Sequence, residues 1–548
     1  MKPPQQFEDL VDRFYDDYFN FNPTLGRQMG FKQYLGKIPD FAYETIMGFH
    51  RRLQFYLIEV KRLQGENLDR QSQADLKQLE LTVEYETFAI HRLCWWAEDP
   101  MAYAEHLDVS HYMKRNYAPL EERILHVTDH LSQVAHFLEQ QRFNLKPVQP
   151  RINLVTAIEM YQGYRDFYRG DVLEFFQNVA DGRIRSQLDA AVEAAAAAVK
   201  KFVLYMEEEL LPAATEEFTI GRFKFIDMLQ LGEMVDIELD QLLKLGETDL
   251  EQNRKRFESE ALSYLPDKKP QEAMQEIASN HPSPESLISD TADMLEQIRQ
   301  FLIDNELVTV PSEVRILVEE TPGFMRWAFA MCDPPGPFEE VATESFYYVT
   351  NVHPDWSDRQ KEEWLTKFDY ATLDNISVHE AYPGHYVHYQ HTLSAPSKVA
   401  KIAGAYSFWE GWAHYSEEMM LDEGWHAGEP QYRLAQLSEA LLRDCRYICA
   451  IKMHTGGMTV DEATTFFMEN SYMEETPARK EAERGTYDPG YLNYTLGKLM
   501  LLKLREDWKT QQGKKYSLKR FHDTLLSFGA PPLPLVRELM LEEMGEIL

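Results

Sequence analysis

The sequence predicts a mostly α-helical protein with a small β-sheet ahead of residue 360. Apolar residues recur at helical spacing along most of the chain, beginning with Phe7, Leu10, Val11 and Phe14. Strand-like alternation is confined to a few short segments. A content of 44% hydrophobic and 12% aromatic residues is typical of a globular protein rather than a disordered one.

Helical segments dominate the chain up to residue 302. Residues 189–211 are rich in alanine, the best helix former, and Pro212 follows at their end. Residues 249–302 predict two long polar helices, which are separated by the proline-containing segment 266–284. The predicted organisation is therefore a helical region, 1–302, followed by a region, 303–548, that holds the sheet and the motifs described below.

Strand signals are few. Residues 312–320 and 344–352 alternate and are rich in β-branched and aromatic side chains, which predicts two strands. The run FTIGRFKF, residues 218–225, is a candidate third strand. The turn-rich run MCDPPGPFEE, residues 331–340, is predicted to be a loop between the first two strands.

Charge and cysteine content exclude several classes of function. The 56 basic and 90 acidic residues give a net charge of −34, which argues against binding to nucleic acid and to anionic membranes. No run of 18 apolar residues and no signal peptide is recognisable, and four cysteines are too few for a disulfide scaffold. We therefore expect a cytoplasmic protein with reduced thiols. Cys445 and Cys449, four residues apart, are a minor alternative metal site.

The densest group of candidate metal ligands lies in residues 377–391, SVHEAYPGHYVHYQH. A catalytic zinc site uses neutral imidazoles and carboxylates and leaves one position to water. A His-Glu pair followed by a second His on a helix is the zincin arrangement, in which the Glu accepts a proton from water. This pattern indicates one Zn²⁺ per chain, with His379 and His385 as ligands and Glu380 as general base.

The spacing of these histidines requires a break in the helix. His379 and His385 are six residues apart, about 600° of helical rotation, whereas the zincin spacing of four returns to one face. Pro383 and Gly384 allow a bulge or kink that would bring His385 back towards His379. Two alternatives stay open: a ligand pair of His385 and His388, and a surface helix with fortuitous histidines.

A third ligand is predicted from residues 408–419, FWEGWAHYSEEM. Glu410 and Glu417 are seven residues apart and so share one helix face. A carboxylate buried among tryptophans needs compensation, which a metal ion supplies. We assign Glu410 as ligand and Glu417 as the carboxylate that orients a ligand histidine. His414 could replace either one, and a solvated acidic face is the structural alternative.

The run YDPGYLNYTLG, residues 487–497, is the third candidate element. Tyr487, Tyr491 and Tyr494 recur at spacings of four and three. A phenol beside a metal can donate a hydrogen bond to a developing oxyanion. Packing in the core is the alternative, because aromatic residues at this spacing are usually buried.

Together, the three runs HEAYPGH, FWEGWAHYSE and RGTYDPGYLNYTLG resemble the bacterial "domain of unknown function 885" proteins, over most of the chain. They are more distantly similar to thimet oligopeptidase and neurolysin, which are gluzincin zinc peptidases. That resemblance implies a large helical array around a deep cleft, with the small sheet beside the active site. Relative to the oligopeptidases, the zinc motif carries a two-residue insertion.

Carried over residue by residue, the resemblance implies zinc on His379, His385 and Glu410, with Glu380 as general base. Its other implied site residues are Glu417 behind the ligands, Tyr494 at the oxyanion, and Tyr487, Tyr491, Arg484 and His388 in contact with substrate; His414, predicted from its spacing alone, would lie beside Glu417. Arg484 would bind a substrate carboxylate.

The resemblance also implies a function. Residues 1–302 would form a wall or lid and residues 303–548 the catalytic region of one continuous fold. The expected activity is that of a metallopeptidase acting on short peptides or small amides. Two alternatives are a zinc hydrolase of a non-peptide amide or ester, and a non-catalytic helical binding protein.

Overall fold

The computed structural model describes residues 5–326, 329–543 and 545–548, and it is mostly helical with a three-stranded sheet. The chain forms two compact units. The first comprises Met1–Ile220 and Pro335–Thr343, and the second comprises Gly221–Pro334 and Glu344–Leu548. These units divide the chain near residue 220, whereas the sequence suggested a change of role near residue 302.

The secondary-structure elements described in the first unit are helices, which are joined by loops. Its α-helices are α1 (Gln5–Phe21), α2 (Pro23–Gln28), α3 (Tyr43–Leu63), α4 (Arg70–Phe88), α5 (Trp95–Glu98), α6 (His111–Lys114), α7 (Leu120–Asn144), α8 (Arg151–Phe167), α9 (Leu173–Phe176) and α10 (Gly182–Tyr205). Helix α10 is the predicted alanine-rich helix. Asp181 caps its first turn, and the helix packs along α7, with the small side chains Ala195 and Ala196 buried.

The second unit holds all the candidate site residues. Its helices are α11 (Arg222–Glu233), α12 (Leu239–Tyr264), α13 (Pro270–Ala278), α14 (Leu287–Asp304), α15 (Asp358–Leu365), α16 (Tyr370–Glu380), α17 (His385–Leu393), α18 (Lys398–Ile402), α19 (Tyr406–Asp422), α20 (Pro430–Thr455), α21 (Val460–Asn470), α22 (Glu475–Tyr487), α23 (Asn493–Gln512), α24 (Leu518–Leu526) and α25 (Leu533–Met540). The two predicted polar helices are α12 and α14, and the short α13 lies in the segment between them.

The sheet has the order β1-β3-β2, with strands β1 (Leu317–Glu320), β2 (Ala330–Asp333) and β3 (Phe346–Val349). β1 runs parallel to β3 and β2 runs antiparallel to it. The two predicted strands are therefore β1 and β3. Within the described residues, no helix is long and apolar enough to cross a membrane.

Two strand predictions were wrong. Residues 218–225 are not a strand, because the chain is irregular up to Gly221, with φ at 84°, and then enters α11. In α11, Phe225 and Leu229 are four residues apart and buried on one face, whereas Phe223 is exposed. The start of the predicted loop 331–340 instead belongs to β2, which ends where Pro334 removes a backbone donor.

Candidate metal centre

The centre begins at a break between two helices. α16 ends at Glu380 and α17 begins at His385, with a cis Tyr382–Pro383 peptide bond in the connection. The Gly384 N–H donates to the carbonyl of Val378 at 3.0 Å, and Trp412 Nε1 donates to the carbonyl of Pro383 at 3.0 Å. A Cβ on Gly384 would lie 1.7 Å from the carbonyl oxygen of His379, so only glycine fits. The break expected at Pro383 and Gly384 is thus present.

This break brings the two predicted ligand histidines together. The rings of His379 and His385 lie with centroids 4.8 Å apart and planes at 89°. Glu410 Oε2 lies 3.4 Å from His379 Nε2 and 3.6 Å from His385 Nε2. Ligands of a tetrahedral zinc ion, at bond lengths of about 2.0–2.2 Å, are spaced at about 3.4 Å. The two distances from Glu410 Oε2 to the imidazole nitrogens therefore match the spacing of ligands around one small ion.

The carboxylate of Glu410 also lacks a hydrogen-bond donor at this position. Its Oε2 is buried, and its contacts with the two histidines do not have hydrogen-bond geometry. Burial opposes its ionisation, but the neighbouring His385 and His379 hold the pKa of Glu410 well below its usual value. A buried, ionised oxygen without a donor is what a metal ion would satisfy.

Two glycines allow Glu410 to reach the histidines. α19 carries Glu410 and packs along α23, and the two helices touch where Gly411 faces Gly497. A Cβ on Gly411 would lie 2.5 Å from the Cα of Gly497, and one on Gly497 would lie 1.9 Å from the carbonyl oxygen of Ser407. The helix backbones are therefore in direct contact one residue from Glu410 and three residues from Tyr494.

Glu417 is fully buried and binds the far side of His379. The His379 Nδ1–H donates to Glu417 Oε1 at 2.7 Å, which leaves Nε2 facing Glu410. The same carboxylate accepts a hydrogen bond from Asn375 Nδ2 at 3.2 Å and lies 3.2 Å from Arg443 Nη2. Burial would raise the pKa of Glu417, but Arg443 and the neighbouring histidines hold it well below its usual value. The predicted orienting role of Glu417 matches this geometry.

His414 lies behind the ligand group rather than in it. Its Nδ1 is 3.3 Å from Glu417 Oε2, and burial lowers the pKa of His414 to about 4. It is therefore a neutral neighbour of Glu417. The ligand role that the sequence left open for His414 does not match this position.

Glu380 is held by the edge of the sheet. The backbone N–H of Cys332, in β2, donates to Glu380 Oε2 at 2.8 Å. Glu380 forms with His379 and His385 a group of three ligand-type side chains whose donor atoms lie within 4.8 Å of one another, a group that does not include Glu410. The predicted general base is thus next to the predicted ligands.

Tyr494, in α23, lies beside His379. Its ring centroid is 6.4 Å from that of His379, and the guanidinium carbons of Arg443 and Arg446 lie 5.6 Å and 5.3 Å from its ring centre. Burial, and then the charge of Glu410, raises the pKa of Tyr494, so the phenol keeps its proton. A protonated phenol at this position can act as a hydrogen-bond donor.

Two of the predicted substrate contacts are corrected. His388 is buried, and its Nε2–H donates to the carbonyl of Gly529 at 3.1 Å. Burial lowers its pKa to about 3, so it is a neutral core histidine, and the alternative ligand pair of His385 and His388 does not form. Tyr491 is 0% exposed, because α22 covers it at Gly485. Neither side chain is placed to touch a substrate.

The remaining two predicted contacts lie near Tyr494 or at the surface. Arg484 donates from Nε and Nη2 to Asp488 Oδ2 at 3.1 Å and 2.9 Å. Its Nη2 also donates to Tyr406 OH at 3.3 Å, and the Tyr406 ring packs edge-on against Tyr494. Tyr487 is 40% exposed. The Arg484 guanidinium is therefore already paired with a carboxylate of its own helix end.

Sequence reasoning missed three contributors: Arg443, Asn375 and the backbone N–H of Cys332. Arg443 had a weak signal, since it follows Glu439 by four residues in the run EALLRDC of α20 and so shares a helix face with that carboxylate. Asn375 precedes His379 by one helical turn and so could have been placed on the same face. No pattern in the sequence marks the Cys332 N–H, because its role depends on how the sheet meets α16.

The alternative thiol site is not supported by the structure. Cys445 and Cys449 are buried one turn apart in α20, and burial raises the pKa of both thiols. In the described parts of the chain, no third ligand-type side chain joins them. They pack as small apolar residues.

Comparison with known proteins agrees with this fold. Residues 23–540 match the family described as "bacterial protein of unknown function (DUF885)". A solved "putative lipoprotein of unknown function" from Shewanella oneidensis is 22% identical with a TM-score of 0.82, over 98% of this chain and 100% of that one. A second "putative lipoprotein", from Colwellia psychrerythraea, is 18% identical with a TM-score of 0.80, over 97% of each chain. No curated protein matches the sequence.

Proposed function

Since this chain belongs to the DUF885 family of bacterial proteins, whose description names no activity, we propose from the site itself that it is a zinc-dependent hydrolase. The observation that carries the proposal is Glu410 Oε2, buried without a hydrogen-bond donor and 3.4 Å and 3.6 Å from two imidazole nitrogens. His379, His385 and Glu410 would hold the ion. Two nitrogens and one carboxylate oxygen are the donor set of a catalytic zinc site with one open position.

The reaction we propose is hydrolysis of a peptide bond. Zinc, when bound, supplies Lewis-acid activation of water and of the substrate carbonyl. Glu380 accepts a proton from the attacking water and returns it to the leaving amine, and the Cys332 N–H holds that carboxylate in place. Tyr494 donates its phenolic hydrogen to the oxyanion that forms on the carbonyl oxygen.

Short peptides are the substrate class we favour. We favour short peptides because the three motifs are similar to those of the thimet oligopeptidase type of gluzincin, whose fold surrounds a deep channel. Because a shared fold does not fix the substrate, the test includes other acyl compounds.

Glu380→Gln tests the proposal, with Glu475→Gln as the matched control at an exposed position. Metal analysis is expected to find one zinc per chain in the wild type and in both variants. Cleavage of a quenched-fluorescence peptide library should fall by about 10²–10⁴-fold in Glu380→Gln only. Absence of stoichiometric zinc, or full turnover by Glu380→Gln, would contradict the proposal. Cleavage of acyl esters but not of peptides would indicate a zinc hydrolase of non-peptide substrates instead of a peptidase.

A further inference from the structure

Arg443 contacts two parts of the candidate centre, the carboxylate of Glu417 and the ring of Tyr494. It is 7% exposed, in the middle of α20. Its Nη2 lies 3.2 Å from Glu417 Oε1 and its Nη1 donates to Glu417 Oε2 at 3.5 Å and to Glu439 Oε2 at 3.1 Å. Its guanidinium carbon lies 5.6 Å from the ring centre of Tyr494.

The contact with Glu417 fixes a charge that burial would otherwise remove. A fully buried carboxylate is stable as an anion only with a countercharge and hydrogen bonds. The planar guanidinium faces both oxygens of Glu417, which defines the plane of that carboxylate as well as its charge. Glu417 in turn accepts the Nδ1–H of His379 at 2.7 Å and so keeps Nε2 of that ring free to bind a metal.

The same guanidinium also lies over the ring of Tyr494. A cation over the face of a tyrosine ring is attracted to the ring and restricts its rotation. Tyr494 also packs near His379, at 6.4 Å between centroids. Arg443 therefore limits the orientation of both the ligand imidazole and the phenol.

We propose that Arg443 is a positioning residue, which sets the zinc affinity through Glu417 and His379 and holds Tyr494 beside the ion. This role rests on the proposed zinc site. Arg443 itself touches neither the ligand atoms nor, in this assignment, the substrate.

Arg446 provides a matched control one turn along the same helix. Its guanidinium carbon is 5.3 Å from the Tyr494 ring centre, and it too is buried. Its charge, however, is paired with Glu481 at 2.7 Å and 2.8 Å rather than with Glu417. The two arginines thus differ in the one contact on which zinc affinity should depend.

The experiment measures zinc affinity by competition with a chelator, without any assay of hydrolysis. Arg443→Met is expected to weaken zinc binding by about 10–100-fold, and Arg443→Lys to recover part of the loss. Arg446→Met should stay within about 2-fold of the wild type. The visible spectrum of the cobalt-substituted protein should change in Arg443→Met and not in Arg446→Met, because only the first variant alters the His379 side of the site.

A double-mutant cycle keeps the test valid if Arg443→Met folds poorly. Glu417→Gln combined with Arg443→Met removes both charges of the buried Glu417–Arg443 pair, and in the Glu417→Gln background the second change should cost less than about 2-fold in zinc affinity. The inference is overturned if Arg443→Met binds zinc as tightly as the wild type, or if Arg446→Met loses as much. A wild type that binds no zinc would instead overturn the proposed function, and this role with it.

Discussion

Replacing Gly411 with alanine should damage the candidate metal centre without unfolding the protein. The new Cβ would lie 2.5 Å from the Cα of Gly497, whereas carbon atoms in contact lie about 3.5–4.0 Å apart. The obstacle is backbone, so α19 and α23 must separate locally by about 1 Å. Overpacking of this kind costs about 1–3 kcal/mol of unfolding free energy. A shift of about 1 Å in catalytic groups costs about 10²-fold in rate.

The assay compares Gly411→Ala with Gly163→Ala, where a Cβ in the middle of α8 meets nothing within 4 Å. We expect the first variant to retain its circular dichroism spectrum, to lose about 10²-fold in peptide cleavage, and to bind zinc more weakly. The control should keep both properties and gain helix stability of up to about 1 kcal/mol. If Gly411→Ala bound zinc and cleaved peptides as well as the wild type, the view that close helix contact at Gly411 positions Glu410 would be refuted.

Two further predictions concern buried titratable groups. Burial raises the pKa of Glu233 from 4.5 to about 7, although Ser407 donates hydrogen bonds to it. Between about pH 4.5 and pH 7, Glu233 keeps its proton in the folded protein but has lost it in the unfolded chain. The free energy of unfolding therefore falls by about 3 kcal/mol as the pH rises through this range. Denaturant unfolding at about pH 5 and pH 8.5 should show this loss in the wild type and not in Glu233→Gln. An equal pH dependence in both proteins would disprove the assignment of the loss to Glu233. His388→Gln should keep one zinc per chain while His385→Gln loses it, as metal analysis would show; the reverse result would restore the alternative ligand pair.

The candidate metal ligands and the candidate general base could be predicted from the sequence because most of them lie close together along the chain. His379, Glu380 and His385 fall within seven residues, and their spacing, with Pro383 and Gly384 between them, already required a broken helix. Glu410 and Glu417 were identified as a pair because seven residues make two helical turns. These inferences depend only on the geometry of one or two helices.

Periodicity alone misplaced Tyr491 and His388, because it shows which residues share a face but not what covers that face. The structure buries Tyr491 against α22 and binds His388 to the carbonyl of Gly529, 141 residues away. The run 218–225 was misread for the same reason, since short apolar runs fit a strand or a helix until their packing partners are known.

Helical spacing and the proline–glycine break are local properties, so they were enough to predict a helical protein whose ligand-type side chains are concentrated in two segments of the chain. The folded chain was needed to reveal that Gly411 meets Gly497, that the Cys332 N–H reaches Glu380, and that Arg443 lies against Glu417. These contacts join segments from 26 to 86 residues apart, and a pattern read along one segment carries no information about which distant helix or strand packs against it.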